Sequence, residues 1–194
     1  TLIEDDIYAE LGHDGRRPPT LKTSDRHDCV LLCSSFSKSL APGARIGWIA
    51  AGRRTGAVRD RRYLSSIAVP ALTQEALAAV LAGGGYLRHL QRLRSACRSA
   101  MEHSGEATAE PFPAGTRISR PQGGFVLWVE LPPPADALDL FRRARHQGVA
   151  FAPGPLFSAS GRFRHCLRLN CARDFTPRTA RAIATLGRLA RAAV

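Results

Sequence analysis

Apolar residues along this chain fall into short runs and helical spacings, broken by turns rich in Gly, Pro, Ser and charge. Leu2 to Tyr8 reads as a buried strand that runs out into a polar turn, and residues 12–28 read as a charged loop. Val30 to Ser35 is a short apolar run, expected as a buried parallel strand, and Arg45 to Ala51 as another of the same kind. Residues 55–69 and 73–82 read as helices separated at Pro70. The triplet Gly83-Gly84-Gly85 reads as a helix stop and as the best domain boundary. A long helix follows from Tyr86 to about Gly105, on which Leu87, Leu90, Leu93, Cys97 and Met101 are spaced as one core-facing stripe. Beyond it the pattern predicts strands near 117–119 and over 124–131, a helix over 135–147, a short strand ending at Phe151 and a strand over 167–171. A closing helix starts at Pro177, an ordinary first-turn position for proline. The second half is therefore expected to be a compact α+β unit.

Composition narrows the reading. The chain has 194 residues, 44% of them hydrophobic, enough for a packed core. Net charge is +12, yet the arginines are scattered with few aromatics between them, which argues against nucleic-acid binding by this segment itself. No apolar run approaches the roughly 18 residues of a membrane span, and the acidic, strand-like start is no signal peptide. The chain opens on an apolar strand without an initiator Met, so it is expected to be a piece whose N-terminal part is missing. The five cysteines lack CxxC spacing and read as buried thiols of a reducing cytoplasm, and no metal site is expected.

Charge also singles out one residue. Of the 28 basic residues only Lys22 and Lys38 are lysines. Arg stays protonated and cannot act as an amine nucleophile, whereas Lys can. Taken alone, Lys38 reads as a solvated loop lysine. Its neighbours reverse that, because it lies in a Ser-rich loop seven residues before Arg45, a combination that suits Schiff-base chemistry beside an anion-binding group. An ordered series completes the pattern: Asp5 and Tyr8 at a strand end, Ser35-Phe36-Ser37-Lys38, Arg45, then Pro121-Gln122-Gly123-Gly124-Phe125, and Arg168 within Leu167-Arg168-Leu169-Asn170.

Together these residues resemble the pyridoxal-phosphate-dependent aminotransferases of fold type I, class I/II, over essentially the whole chain. Four segments, Glu4 to Leu11, Ser35 to Trp48, Gly124 to Pro132 and Ala152 to Ser158, look most like the aminotransferase-like domain of MocR-type regulators in the GntR family. The resemblance implies an α/β fold. Residues 1–85 would be the C-terminal part of the cofactor-binding large domain, mainly parallel sheet with helices, and residues 86–194 the small α+β C-terminal domain. It also implies roles. Lys38 would bind pyridoxal 5'-phosphate as a Schiff base and shuttle a proton. Asp5 would pair with the pyridine nitrogen, Tyr8 would bond the ring oxygen, and Ser35 and Arg45 would hold the phosphate. Arg168 would clamp the carboxylate of an amino acid or 2-oxo acid.

Several positions keep alternatives. Asp5 also reads as a solvated strand end, and Asp6, pointing to the opposite strand face, is its competitor. Tyr8 also reads as a packed loop aromatic. Ser34 and Ser37 compete with Ser35, and Ser37 reads as a turn residue. Gly123-Gly124 suits either close approach to a substrate or a strand-start bulge. Arg168 inside an apolar strand would be costly without an anionic partner. The whole protein is expected to be a homodimer in the cytoplasm that meets DNA through a domain absent from this chain. A stand-alone aminotransferase and a degenerate fragment are the other readings. The piece alone is expected to bind the cofactor weakly.

Overall fold

The computed structural model describes every residue, Thr1–Val194. The chain divides into two compact units, Thr1–Arg94 and Ser95–Val194, with the division inside a helix.

In the first unit β1 (Leu2–Asp5), β2 (Val30–Ser35) and β3 (Gly47–Ala50) form a sheet in that order. β1 and β2 are parallel, with Leu2 opposite Val30 and Asp5 opposite Cys33. β3 runs antiparallel to β2, with Ser35 opposite Gly47, which corrects the expectation of a further parallel strand. Connectivity is the reason. A parallel partner needs a crossover, usually a helix, and the link from β2 to β3 holds only a single 3-10 turn at Pro42–Ala44. The expected burial of β1 and β3 is also corrected, since Ile3 is 69% and Ile49 49% exposed. α1 (Thr55–Ser66) buries no residue and α2 (Ala71–Ala82) only Leu77, so neither helix lays an apolar face over the sheet.

Leu11, Val30, Leu32, Ala51, Leu77 and Leu90 are the buried apolar residues of this unit, and a set of polar bonds works beside them. The Lys22 ammonium donates to Asp25, Asp28 and the Val30 carbonyl, each at 2.9 Å. Asp25 accepts from the amides of Val30 at 2.8 Å and Cys29 at 2.9 Å. Glu4 on β1 accepts from the amides of Leu21 and Lys22, and Asp28 from the amide of Arg53 at 2.7 Å. The Val30 amide, with help from Cys29 and Lys22, holds the Asp25 carboxyl well below the usual carboxylate range. The Arg53 amide and Lys22 hold Asp28 down at about 2. Gly52 is required here: its φ is +57°, and a Cβ would lie 2.0 Å from Asp28 Oδ1.

α3 (Tyr86–Ala109) runs from the first unit into the second. Its buried stripe contains Leu90, Cys97, Ala100 and Met101, while Leu87, expected on that face, is exposed. The second unit has an antiparallel sheet in the order β4 (Arg117–Ile118), β5 (Val126–Glu130), β7 (Cys166–Asn170), β6 (Ala152–Pro153). Its core joins Val129, Leu131 and Leu167 to Leu140 of α4 (Ala137–His146) and to Ile183 and Leu186 of α5 (Pro177–Arg191). The helices start where side chains satisfy their free amides: Asp136 accepts from Leu138 and Asp139, and Thr176 from Thr179 with Pro177 in the first turn. Phe151, expected to end a strand, precedes β6 and belongs to the core. Cys97, Cys166 and Cys171 are buried as expected, but Cys29 is exposed. No helix is long and apolar enough to cross a membrane.

Candidate functional site

Five of the six residues singled out in the sequence lie in the first unit, around the carboxyl ends of the parallel strands β1 and β2. Ligand sites of open α/β sheets form at such ends. Asp5 closes β1 in register with Cys33. Beyond it the chain is tied back to β2, because the Asp6 amide donates to the Cys33 carbonyl at 2.8 Å and Ser34 Oγ donates to the Asp6 carbonyl at 3.1 Å. The two adjacent carboxylates differ in company. Asp6 takes Arg17 Nη2 at 2.6 Å, and Arg17 also bonds Glu10. Asp5 is exposed and accepts from the Ile7 amide at 3.3 Å, with no ion pair. Burial, reinforced by the Asp5 charge, pushes the neighbouring Cys33 thiol up.

Lys38 stands on a closed turn. The Phe36 carbonyl accepts from the amides of Leu40 at 2.9 Å and Ala41 at 3.0 Å, and the Phe36 amide donates to Ile46 at 3.1 Å. From that turn Lys38 Nζ lies 5.9 Å from the centre of the Tyr8 ring, a cation–π contact that joins two of the expected residues. Ser35 and Arg45 meet through a residue read only as a turn former. The Ser37 amide donates to Ser35 Oγ at 3.4 Å, and Arg45 Nη1 donates to Ser37 Oγ at 3.5 Å and to the Pro42 carbonyl at 3.4 Å. Arg45 adopts φ 54° and ψ 39°, a left-handed conformation uncommon for a residue with a side chain. The result is one string of hydroxyl and guanidinium donors beside the lysine.

Ser39, buried next to Lys38, meets two residues that periodicity assigned simply to a helix start. Tyr86 hydroxyl donates to its Oγ at 2.9 Å and His89 Nε2 lies 2.8 Å from its carbonyl oxygen. Nothing in the spacing marks them, because the contact spans a long sequence separation.

Arg168 lies in the second unit. It is the middle residue of β7, opposite Trp128 on β5 and Ala152 on β6. Its guanidinium carbon sits 4.5 Å from the centre of the Phe157 ring, and no carboxylate pairs with it. Trp128 packs edge-on against both Phe157 and Phe163, centroids 5.5 Å apart in each case. The ring covers one face of the guanidinium and leaves its N–H edge for a planar anion. Gly124 has φ 75°, which by itself accounts for glycine at that position. No group of three or more His, Cys, Asp and Glu side chains is arranged to hold a metal ion.

A family model described as aminotransferase class I and II matches residues 1–183. Two Escherichia coli K12 proteins, the uncharacterized HTH-type transcriptional regulators YjiR and YdcR, are 43% identical over 172 residues and 38% identical over 189. These matches cover 88% and 97% of this chain but 36% and 40% of the regulators. Among solved structures, LysN from Thermus thermophilus, an alpha-aminoadipate aminotransferase complexed with N-(5'-phosphopyridoxyl)-L-leucine, superposes with a TM-score of 0.90 at 32% identity. That match covers 98% of this chain and 50% of LysN. The chain thus spans half or less of the length of these relatives.

Proposed function

From the premise that the chain belongs to the aminotransferase class I and II family, we propose that it is the pyridoxal-phosphate-binding, aminotransferase-like part of a MocR-type transcriptional regulator. The observation that carries this reading is the placement of the Lys38 amine over the Tyr8 ring, 5.9 Å from its centre. The same unit holds an Asp5 carboxylate without an ion pair and the Ser35–Ser37–Arg45 donor string. This donor set suits each part of pyridoxal phosphate: an amine for its aldehyde, a carboxylate for its ring nitrogen, a phenol for its ring oxygen, and hydroxyls with a guanidinium for its phosphate. When bound, the group supplies an electron sink for negative charge at a substrate Cα.

The chain's own residues would do the rest. Lys38 Nζ attaches the group and carries a proton to and from Cα. Asp5 keeps the ring nitrogen protonated through its charge. Tyr8 orients the ring through its hydroxyl, and Ser35 and Arg45 fix the phosphate. Arg168, its face held on Phe157, takes the carboxylate of an amino acid or 2-oxo acid in a bidentate grip. In this reading the cofactor-binding part extends over residues 1–85 and the small domain over 86–194, and the whole protein is a cytoplasmic homodimer. DNA is bound by a part of the protein outside this chain, as the likeness to the two HTH-type regulators supports. Ligand exchange at Lys38 then shifts a conformational equilibrium.

The second reading, a plain aminotransferase, is favoured by the 2-aminoadipate transaminase of Thermus thermophilus, 33% identical over 191 residues. Absorbance of the full-length protein with pyridoxal phosphate separates the cases, using wild type and Lys38→Ala with a panel of amino acids. A visible band lost in Lys38→Ala is expected. A spectral shift with an amino acid but no 2-oxo acid product supports the sensor, and steady release of product supports the enzyme. A band unchanged by Lys38→Ala overturns the assignment of the lysine.

A further inference from the structure

We propose that Tyr86 and His89, in the first turns of α3, are positioning residues for Lys38 that act through Ser39. The inference rests on the reading of Lys38 as the reactive amine and adds residues that reading did not contain. Ser39 is only 3% exposed and follows Lys38 directly. Both its polar groups are engaged by one helix: the side chain takes the Tyr86 hydroxyl at 2.9 Å, and the carbonyl meets His89 Nε2 at 2.8 Å. A carbonyl oxygen only accepts, so His89 carries a hydrogen on Nε2. The Tyr86 ring also meets Phe36 edge-on, centroids 6.3 Å apart, and stacks with His89 at 6.5 Å. Phe36 lies two residues before Lys38 and Ser39 one after it. α3 therefore grips the turn on both sides of the lysine.

A lysine side chain has a flexible four-carbon stem, and its ammonium is a mobile point charge. Holding the Phe36 ring on one side of it and Ser39 on the other restricts where Nζ can go. It also keeps the amine at a constant distance from the Tyr8 ring. A merely structural contact would change the melting temperature alone. A positioning contact changes the chemistry of one amine.

That difference is measurable, because this chain has only one other lysine. Lys22 is held by Asp25, Asp28 and the Val30 carbonyl and serves as an internal reference. The experiment uses the full-length protein as wild type, Tyr86→Phe, His89→Leu and His89→Gln. Competitive acetylation of cofactor-free protein at one fixed pH, read by peptide mass spectrometry, gives the acetylation rate of Lys38 relative to Lys22. The visible band with added pyridoxal phosphate gives cofactor affinity. Tyr86→Phe and His89→Leu are expected to change the Lys38 acetylation rate, leave that of Lys22 in place and weaken cofactor affinity by roughly tenfold, the scale of losing a buried hydrogen bond. His89→Gln, which restores an N–H donor, should recover most of the loss. Unchanged Lys38 acetylation rates in both disruptive variants would overturn the proposal, even if their melting temperatures fall. A changed Lys38 acetylation rate in a protein that shows no visible band would uphold the positioning role and remove the cofactor assignment instead.

Discussion

The two units of this chain reach compactness by different means. Ser95–Val194 encloses a continuous apolar core of Val129, Leu140, Leu167, Leu186 and their neighbours. Thr1–Arg94 is held by charged and backbone groups around Lys22, Asp25 and Asp28, while Leu64 and Leu72 stay 83% and 82% exposed. The chemistry divides along the same line. Lys38, Asp5, Tyr8, Ser35 and Arg45 belong to the unit made by hydrogen bonds and ion pairs, and Arg168 to the unit made by packing. A geometry held by carboxylates depends on their protonation, whereas a packed core does not. Each unit has one tryptophan, Trp48 and Trp128, so single-tryptophan variants report on each separately.

Acid is the strongest test of this contrast. Asp28 is held at about 2 and Asp25 also well below its ordinary value, so the unfolded chain binds more protons than the folded one as pH falls. Stability from these groups is complete above about pH 4, the ordinary carboxylate value, and is lost as pH falls through the folded values. The Trp48 signal should therefore change between about pH 4 and about 2 while the Trp128 signal holds, since the second unit relies on burial. In that unit Asp136 is lowered too, chiefly by Arg164, but it caps one helix rather than joining strands. Coincident transitions of the two tryptophans would break the comparison.

Truncating apolar side chains tests it from the other side. Leu167 is fully buried at the centre of the second unit's core, and Leu167→Ala should cost about 2–5 kcal/mol by transfer and cavity formation. Leu64→Ala in the first unit should stay within about 0.5 kcal/mol, as for other exposed positions. Urea titrations followed by Trp128 and Trp48 fluorescence measure the two values. A Leu64→Ala cost near that of Leu167→Ala would mean that the first unit also depends on its apolar face.

The same contrast explains what could be read from the sequence. Helical spacing and the helix-start signal of Pro177 located α3, α4 and α5 well, because these signals are local. The direction of β3 and the exposure of β1 were misread, because an apolar run states what could be buried and not what lies over it. Lys38, Tyr8 and Arg45 were singled out by their residue types and by resemblance, and the structure puts the Lys38 amine over the Tyr8 ring. Ser37 passed as a turn residue, although it bridges Ser35 to Arg45. Tyr86 and His89 passed as the beginning of a helix, because their contact with Ser39 closes a loop of some fifty residues. The polar knot around Lys22 read only as a charged loop for a related reason: composition reports the charges, and only the fold reports that they pair.

The smallest effect separates positioning by packing from positioning by bonds. In the second unit Arg168 is supported by a ring, with its guanidinium carbon 4.5 Å from the Phe157 centroid and Trp128 bracing that ring from the neighbouring strand. A cation–π contact at a partly exposed site is worth about 0.5–1 kcal/mol. Phe157→Leu keeps apolar volume but removes the π face, so it should weaken binding of an amino-acid carboxylate by about 2- to 5-fold. It should leave the visible band of the cofactor-loaded full-length protein in place before the amino acid is added. Titration of that band with an amino acid measures the change. A loss of the band itself would show that Phe157 supports more than the carboxylate grip. An unchanged affinity would mean that strand geometry alone orients Arg168, as its central place in β7 between Trp128 and Ala152 would then have to do.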